Sequence, residues 1–473
     1  MNTFAPSFFK ESPVFNFFCI TFVTLCMIAY CIISQEYSPL VINTFAILLG
    51  LVILSNLKNI DKSEKEYLSK TFFFNYSINI LLIFLFIIVF RYSHGTSFLP
   101  QYGYNIPDDI TFYQNGKILA QAWHTDIQHD IYLGNIKFYG YTYFLGLIFY
   151  LTQIIGDFSD VTPRVVNAFL GAFLPILVYL ISKLIYDRKV AFNASLFSTI
   201  FPVFHYYSAL LLRDIIVAFL ILLSIYLYIS LVFFCNLNKV YAFKFKSDFF
   251  IKLFSLMCTL LFIYYMRDVT CFILILAFST ILFFKSSLKS KIAILTCLCL
   301  ISILFFSNIN LEKLYLYITY PTRYNKLFMI TENENSLGMQ YIINSPFPLN
   351  IPLRIIYTMI MPIPPFIQYK FHNLVLGSGA FLWYFVLPFW IFGMWKTRQD
   401  LKSNLLTLIS LILLVGIAFT SIDIRHKTQF LGLAVIQAAY AFNITKKYRT
   451  ILYSITTYTL GCLAVIYIYL KFN

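Results

Sequence analysis

The chain is a succession of continuous apolar runs of roughly 17–25 residues, the length at which a helix spans the hydrocarbon core of a bilayer. The runs recur from Val14 to Leu470, separated mostly by short polar breaks. Continuous rather than alternating apolar character favours helices over a transmembrane β-barrel. Taken in order, the runs predict helices near 14–33, 39–57, 71–90, 164–182, 190–204, 211–233, 249–266, 268–284, 291–307, 378–394, 405–420, 428–444 and 450–470, about thirteen spans. The predicted fold is an all-α polytopic integral membrane protein. The first run is too long for a signal-peptide core and lacks a small-residue cleavage site, so it is expected to remain as the first helix.

One further run, FYGYTYFLGLIFYLTQIIG at 138–156, decides the threading. Basic loops collect on the cytoplasmic side. The segment KNIDKSEKEYLSK, between the second and third helices, is therefore placed inside, and the long polar stretch beginning at Arg91 outside. If 138–156 crossed the membrane, the cluster Lys183, Arg188 and Lys189 and every later basic loop would lie outside. A helix lying in the outer interface removes the conflict, and the Tyr and Phe residues crowding its start suit that position.

Composition agrees with this picture. Of 473 residues, 60% are hydrophobic and 12% charged, and the mean hydropathy is +0.77. This excludes a disordered chain or an ordinary soluble enzyme. The 35 Lys and Arg against 20 Asp and Glu give +15, which in a soluble protein would suggest nucleic acid. Here nearly all the excess falls inside, where it sets orientation and meets anionic membrane lipid, so no nucleic-acid partner is implied. All nine cysteines lie within or beside apolar runs without metal-ligand spacing, so neither a disulfide framework nor a zinc site is implied. No Gly-rich phosphate loop, HExxH, GxSxG or internal repeat is present. The expected organisation is an N-terminal helix pair (1–70), a catalytic transmembrane module (71–307) with outer loop 91–163, an outer segment with a partial or re-entrant helix (308–377), and C-terminal helices (378–473).

All six histidines and most acids fall in outer loops or at their edges, so polar chemistry is concentrated on one face. Asp108 and Asp109 follow Pro107 at the start of a short predicted helix, DITFYQNGKILAQAW. One can be an ordinary N-cap; its neighbour is then free to act as a general base or metal ligand, with Tyr113 and Lys117 on the same helical face as Asp109. Asp214, beside Arg213 and downstream of His205, lies at the outer end of an apolar helix, where a charge is either an interfacial anchor or the mark of a site. Arg267 and Asp268 repeat the pair at a hairpin tip, where anchoring the turn is the simpler role. Lys137, Arg164 and Arg425 also face outward, at a depth suited to a phosphate or a lipid headgroup. The prolines of MPIPPF break any full span over 353–369.

The order of segments over about 71–285 resembles the GT-C class of polytopic glycosyltransferases, which includes protein O-mannosyltransferases and lipid A aminoarabinose transferases. The resemblance rests on an outer loop with PDDITFY, then KFYGYTYFLGLIFYLTQIIG, then TPRVVNAFLGAFLPILVYLISKLIYDRKVAFNASLFSTIFPVFHYYSALLLRD. It implies a juxtamembrane helix at 138–156 and a catalytic acid at Asp109 or Asp108. It also implies carrier-phosphate contacts from Lys137 and Arg164, with Arg425 and Arg267 joining them, and a second acid at Asp214. Phe138 and Tyr139 replace the Pro-Pro of those subfamilies, leaving Tyr139 with Tyr113 as supporting aromatics. Two additional helices precede the family's first.

The implied reaction moves a sugar, with inversion, from a polyprenyl-phosphate or diphosphate carrier to a glycan or glycolipid acceptor at the outer face of the plasma membrane. No cofactor is certain; a divalent metal ion, if used, would sit on Asp108, Asp109 and Asp214. Downstream of residue 285, RHKTQFLGLAVIQAAYAF and PIPPF look similar to bacterial envelope sugar-transfer proteins. O-antigen repeat-unit polymerases share this size and composition, and a lipid-linked glycan flippase or transporter is a third, non-enzymatic reading.

Overall fold

The computed structural model describes residues 13–99, 107–125, 139–237, 247–285, 345, 349–360, 371–398, 401–420, 424–444 and 448–472. Every regular element among the described residues is helical. Seven helices among them are long and apolar enough to cross a membrane. The chain is thus an all-α multi-pass membrane protein. The expected span at 291–307 and Lys137 lie outside the described residues.

The chain falls into two compact units, one formed by residues 1–226 with 368–379, the other by 227–367 with 380–473. The first begins with α1 (Pro13–Ser34), α2 (Ser38–Ser55) and the long α3 (Lys62–His94). Glu64 accepts the N–H of Asp61 at 3.0 Å and so closes the first turn of α3. Gly95 ends α3 at φ 73°, a left-handed conformation that glycine adopts without cost, its N–H bonded to Arg91 O. Next come α4 (Asp108–Thr125), α5 (Tyr139–Gln153), α6 (Val161–Ala172), α7 (Leu174–Ile185), α8 (Arg188–Thr199) and α9 (Pro202–Ala209). α6 and α7 form one apolar span broken at Phe173, with Pro175 opening the second half. α3 packs against α1, α6 and α9, and α6 against α2 and α9.

The single helix expected over 190–204 is corrected here. α8 stops at Thr199, Phe201 is extended at φ −83° and ψ 106°, and a second helix starts at Pro202. Proline has no N–H for the helix ladder and pushes the preceding residue out of the helical region, so the break falls at Phe201. His205 bridges it. One ring nitrogen lies 2.6 Å from Thr199 O and the other 2.7 Å from Asn79 Oδ1 on α3.

Contacts at the two ends of this unit bear on the threading. At one end, Glu64 of α3 accepts from Tyr179 Oη at 2.7 Å on Oε1 and from Lys183 Nζ at 2.6 Å on Oε2, and Arg188 Nε lies 3.3 Å from Oε1. At the other end, Arg164 donates to Ser97 O at 2.7 Å, Leu99 N–H to Asp109, and Tyr37 N–H to Asp157 at 2.7 Å. The chain entering the α4–α5 pair and the chain leaving it therefore meet at the same end. The described part of α5 has 15 residues, about 22 Å at a helical rise of about 1.5 Å per residue. α4 and α5 cross where Gly116 and Gly146 remove side chains; a Cβ on either would stand 2.8 Å from Leu145 or Leu119.

The helix α10 (Asp214–Leu237) follows, and the second unit continues with α11 (Ser247–Met266), α12 (Asp268–Lys285), α13 (Asn350–Ile360), α14 (Phe371–Thr397), α15 (Leu401–Thr420), a 3-10 turn (Ile424–Lys427), α16 (Thr428–Ile444) and α17 (Arg449–Phe472). Its interior is tied by Trp390 Nε1 donating to Gln437 Oε1 at 2.7 Å and Gln437 Nε2 to Thr407 Oγ1 at 2.8 Å. Around MPIPPF the described helix is α13, 11 residues long.

Candidate functional site

α4 starts at Asp108 after Pro107, and the two neighbouring carboxylates take different environments. Asp108 is half-buried; Asp109 is fully buried. Asp109 Oδ2 accepts the Leu99 N–H at 2.8 Å and Oδ1 accepts the Ile110 N–H at 2.9 Å. Burial raises the Asp109 carboxyl above its ordinary 3.8; the Leu99 N–H, the nearby Arg164 and the Ile110 N–H oppose that shift, and Asp108 adds to it.

Arg164 lies in the first turn of α6 and is also fully buried. Nη2 donates to Ser97 O at 2.7 Å and stands 3.3 Å from Asp160 Oδ2, while the guanidinium lies 5.7 Å from the centre of the Phe98 ring. Among the described residues its Nε and Nη1 have no hydrogen-bond partner. A buried guanidinium with two unused donors is costly as it stands and is ready to receive an anion or water.

Tyr141, on α5, links the groups. It is buried, and its hydroxyl feels the charges of Arg164, Asp214 and Asp109 together. Burial raises its pKa, with Asp214 and Asp109 adding to the effect and Asn167 and Arg164 opposing it. Asn167, one turn beyond Arg164, donates to Tyr141 Oη at 3.3 Å, to Leu210 O at 2.8 Å and to Leu212 O at 3.0 Å. It thereby holds the turn that delivers Asp214, the buried first residue of α10. Through Asn167, Tyr141 is tied to the helix that carries Arg164 and to the turn that precedes Asp214.

The other expected residues have other positions. Tyr113 donates to Phe158 O at 2.8 Å, and Lys117 lies 5.1 Å from the Phe158 ring centre, so both anchor the segment after α5. Burial, then Asp160, Glu36 and Asp157, push the Tyr113 hydroxyl up to about 12. His205 is engaged at the α8–α9 break, and burial lowers its pKa. Arg213 sits in the turn before α10, and its carbonyl accepts the Val217 N–H at 3.0 Å. Tyr139 is the first residue of α5, and its side chain lies outside the described set. In the second unit, Arg267 Nη2 donates to His426 Nε2 at 2.7 Å, which brings Arg267 to the turn that carries Arg425. The adjacent Lys427 is buried against the Trp383 ring at 4.5 Å and donates to Met359 O at 3.2 Å; burial sets its pKa well below the ordinary lysine value.

Among the described residues no group of three or more His, Cys, Asp or Glu is placed to hold a metal ion. Both oxygens of Asp109 accept backbone N–H groups. Sequence reasoning also missed Tyr141, Asn167, Asp160, Asp157 and Glu36. The one legible signal was DFSD at 157–160, an acidic run just before a predicted helix start.

No protein-family model matches the chain, and no curated protein matches it. Among solved structures it is similar to the oligosaccharyltransferase AglB of Archaeoglobus fulgidus in complex with an inhibitory peptide and a dolichol-phosphate. The TM-score is 0.48 and the identity 14%, over 86% of this chain and 55% of that one. Against the apo form of the Archaeoglobus fulgidus oligosaccharyltransferase the TM-score is 0.43 at 13% identity, over 83% and 54%. Against its complex with zinc and sulfate the TM-score is 0.42 at 14% identity, over 84% and 51%. The chain spans about half the length of those proteins.

Proposed function

We propose that the protein is an inverting membrane glycosyltransferase that moves a sugar from a polyprenyl-phosphate or diphosphate carrier to a cell-envelope glycan or glycolipid, at the outer face of the plasma membrane. The observation that carries this reading is the buried guanidinium of Arg164, whose Nε and Nη1 meet no acceptor among the described residues, beside the acid pair that opens α4. The acceptor hydroxyl attacks the anomeric carbon, the bond from that carbon to the phosphate oxygen breaks, and the phosphate leaves with the electron pair. The hydroxyl proton passes to a carboxylate of the pair Asp108 and Asp109. A carboxyl whose affinity for protons is raised by burial suits a base that must hold that proton. Arg164, with Lys137, meets the negative charge that grows on the departing oxygens and is worth more in the transition state than in the ground state. Asp214 and Tyr141 orient the arginine and the acceptor.

The test is a deletion strain whose lipid-linked saccharides are extracted and sized. A carrier-linked sugar that accumulates while its acceptor goes unmodified supports transfer. Single repeat units left on the lipid anchor would instead identify a polymerase. An unchanged lipid-linked pool with a normal envelope glycan would overturn the reading.

A further inference from the structure

The α1–α2 helices stand outside the segment over which the GT-C resemblance runs, yet their connecting turn is bonded to the first turn of α6. α2 has no cap of its own: Tyr37 at its N-cap makes no side-chain capping bond. The carboxylate of Asp157, just before α6, supplies that cap. Its Oδ2 accepts the N–H of Tyr37 at 2.7 Å and of Ser38 at 2.8 Å, and its Oδ1 accepts the Ser38 hydroxyl. An anion at a helix N-terminus is stabilised by the free N–H groups and the helix dipole.

Two further contacts tie the same turn to α6. Ser159 Oγ donates to Glu36 Oε2 at 2.5 Å while accepting the Val161 N–H at 3.3 Å, so the residue just before the Asp160 N-cap of α6 is itself held by Glu36. Tyr30 Oη donates to the same Glu36 oxygen at 2.6 Å, which fixes the glutamate against α1. Ser38 Oγ then lies 2.6 Å from Thr162 Oγ1, inside the first turn of α6. Asp160, which pairs with Arg164 at 3.3 Å, lies between Ser159 and this turn. Arg164 is two residues beyond Thr162, so its backbone position is set by these three contacts.

We propose that the α1–α2 turn is a positioning element for Arg164, with Asp157 and Glu36 as the positioning residues. The proposal rests on the reading of Arg164 as the phosphate-binding group. A free Arg side chain loses much of its binding free energy in being ordered; here the helix turn that presents it is ordered before any ligand arrives.

The experiment is a binding titration of farnesyl phosphate, a soluble isoprenyl monophosphate, to the full chain in detergent micelles, with a double-mutant cycle. Arg164→Met should weaken binding by about tenfold or more, the loss expected for a charge-assisted contact. Asp157→Asn and Glu36→Gln should each weaken it by several-fold in the unaltered chain and have no further effect in the Arg164→Met background, with Asp157→Glu restoring part of the loss. A structural role unrelated to Arg164 would instead give effects that add in both backgrounds. If Arg164→Met weakens binding but Asp157→Asn and Glu36→Gln do not, the positioning role is overturned while the phosphate reading stands. If Arg164→Met leaves binding unchanged, the phosphate reading falls and this proposal with it. Should Asp157→Asn reduce the yield of folded protein, Ser38→Ala and Glu36→Gln carry the same test, and unchanged affinity in both overturns the role.

Discussion

Asp109 and Arg164 grip the same three residues from opposite ends: Arg164 donates to the carbonyl of Ser97, and Asp109 accepts the N–H of Leu99. Phe98 between them lies against the guanidinium and, at 5.2 Å, against Tyr113. The segment that leaves α3 is thereby folded over the carboxylate and the guanidinium, and each is held in a fixed position.

The first prediction concerns activity. Arg164→Met keeps the apolar stem but removes every donor. Sugar transfer should fall by roughly 100-fold or more, the scale on which a lost transition-state donor acts. Arg164→Lys should recover only part, because an ammonium cannot replace the guanidinium contacts to Ser97 and Asp160 and still reach a phosphate. Initial rates with carrier-linked sugar would measure both.

The second concerns pH. Because the folded chain holds the Asp109 proton more tightly than the unfolded chain, this group stabilises the fold most at low pH. That contribution is lost as the pH climbs from 3.8 through its raised folded value. Asp109→Asn cannot titrate. Melting temperatures of both proteins, taken from about pH 4 to pH 8, should show the unaltered chain losing ground to the variant as the pH rises. A difference that stays flat across the range would mean that the carboxyl is not held above its ordinary value.

The third concerns the opposite end of the first unit. Glu64 is buried and serves Tyr179, Lys183, Arg188 and the N–H of Asp61. Glu64→Ala should cost about 2 kcal/mol or more, since it strands a buried hydroxyl and an N–H, while the two cations still reach water. Thermal unfolding in detergent would detect the loss.

The fourth concerns helix crossing. A Cβ on Gly171 would collide with the Ser208 side chain, so Gly171→Ala should destabilise the fold by about 1–3 kcal/mol through overpacking. Adding Ser208→Gly removes the obstacle and should return most of the loss.

The fifth concerns threading. Alkaline phosphatase fused after Gly156 should be exported and active, and fused after Tyr186 it should stay inside and inactive. An active fusion after Tyr186 would place Glu64 and Lys183 on the outer side and undo the proposed orientation.

The seven long apolar helices were legible because a bilayer imposes length and continuity on a spanning helix, and the non-crossing placement proposed for α5 rests on loop charge, since a crossing there would reverse every later basic loop. The break at Phe201 was also written in the sequence, as Pro202, but the hydropathy of the run masked it. At the site, Asp109, Arg164 and Asp214 stood out as charges beside apolar helices. What stayed hidden was their manner of engagement. Asp109 looked free for a metal because backbone partners such as the Leu99 N–H leave no trace in residue type. Tyr141 and Asn167 looked like ordinary members of apolar helices. Asp157 caps a helix 119 residues away from it in the chain, and only the folded backbone brings donor and acceptor together.

The amide of Asn167 has one workable orientation, since turning it over would set its oxygen against the carbonyls of Leu210 and Leu212. A carboxylate in its place, as in Asn167→Asp, would do the same without any rotation, exchanging two attractions for two repulsions among buried groups. The amide of Asn167 therefore works as a clasp with a fixed polarity, closing α6 onto the turn that opens α10.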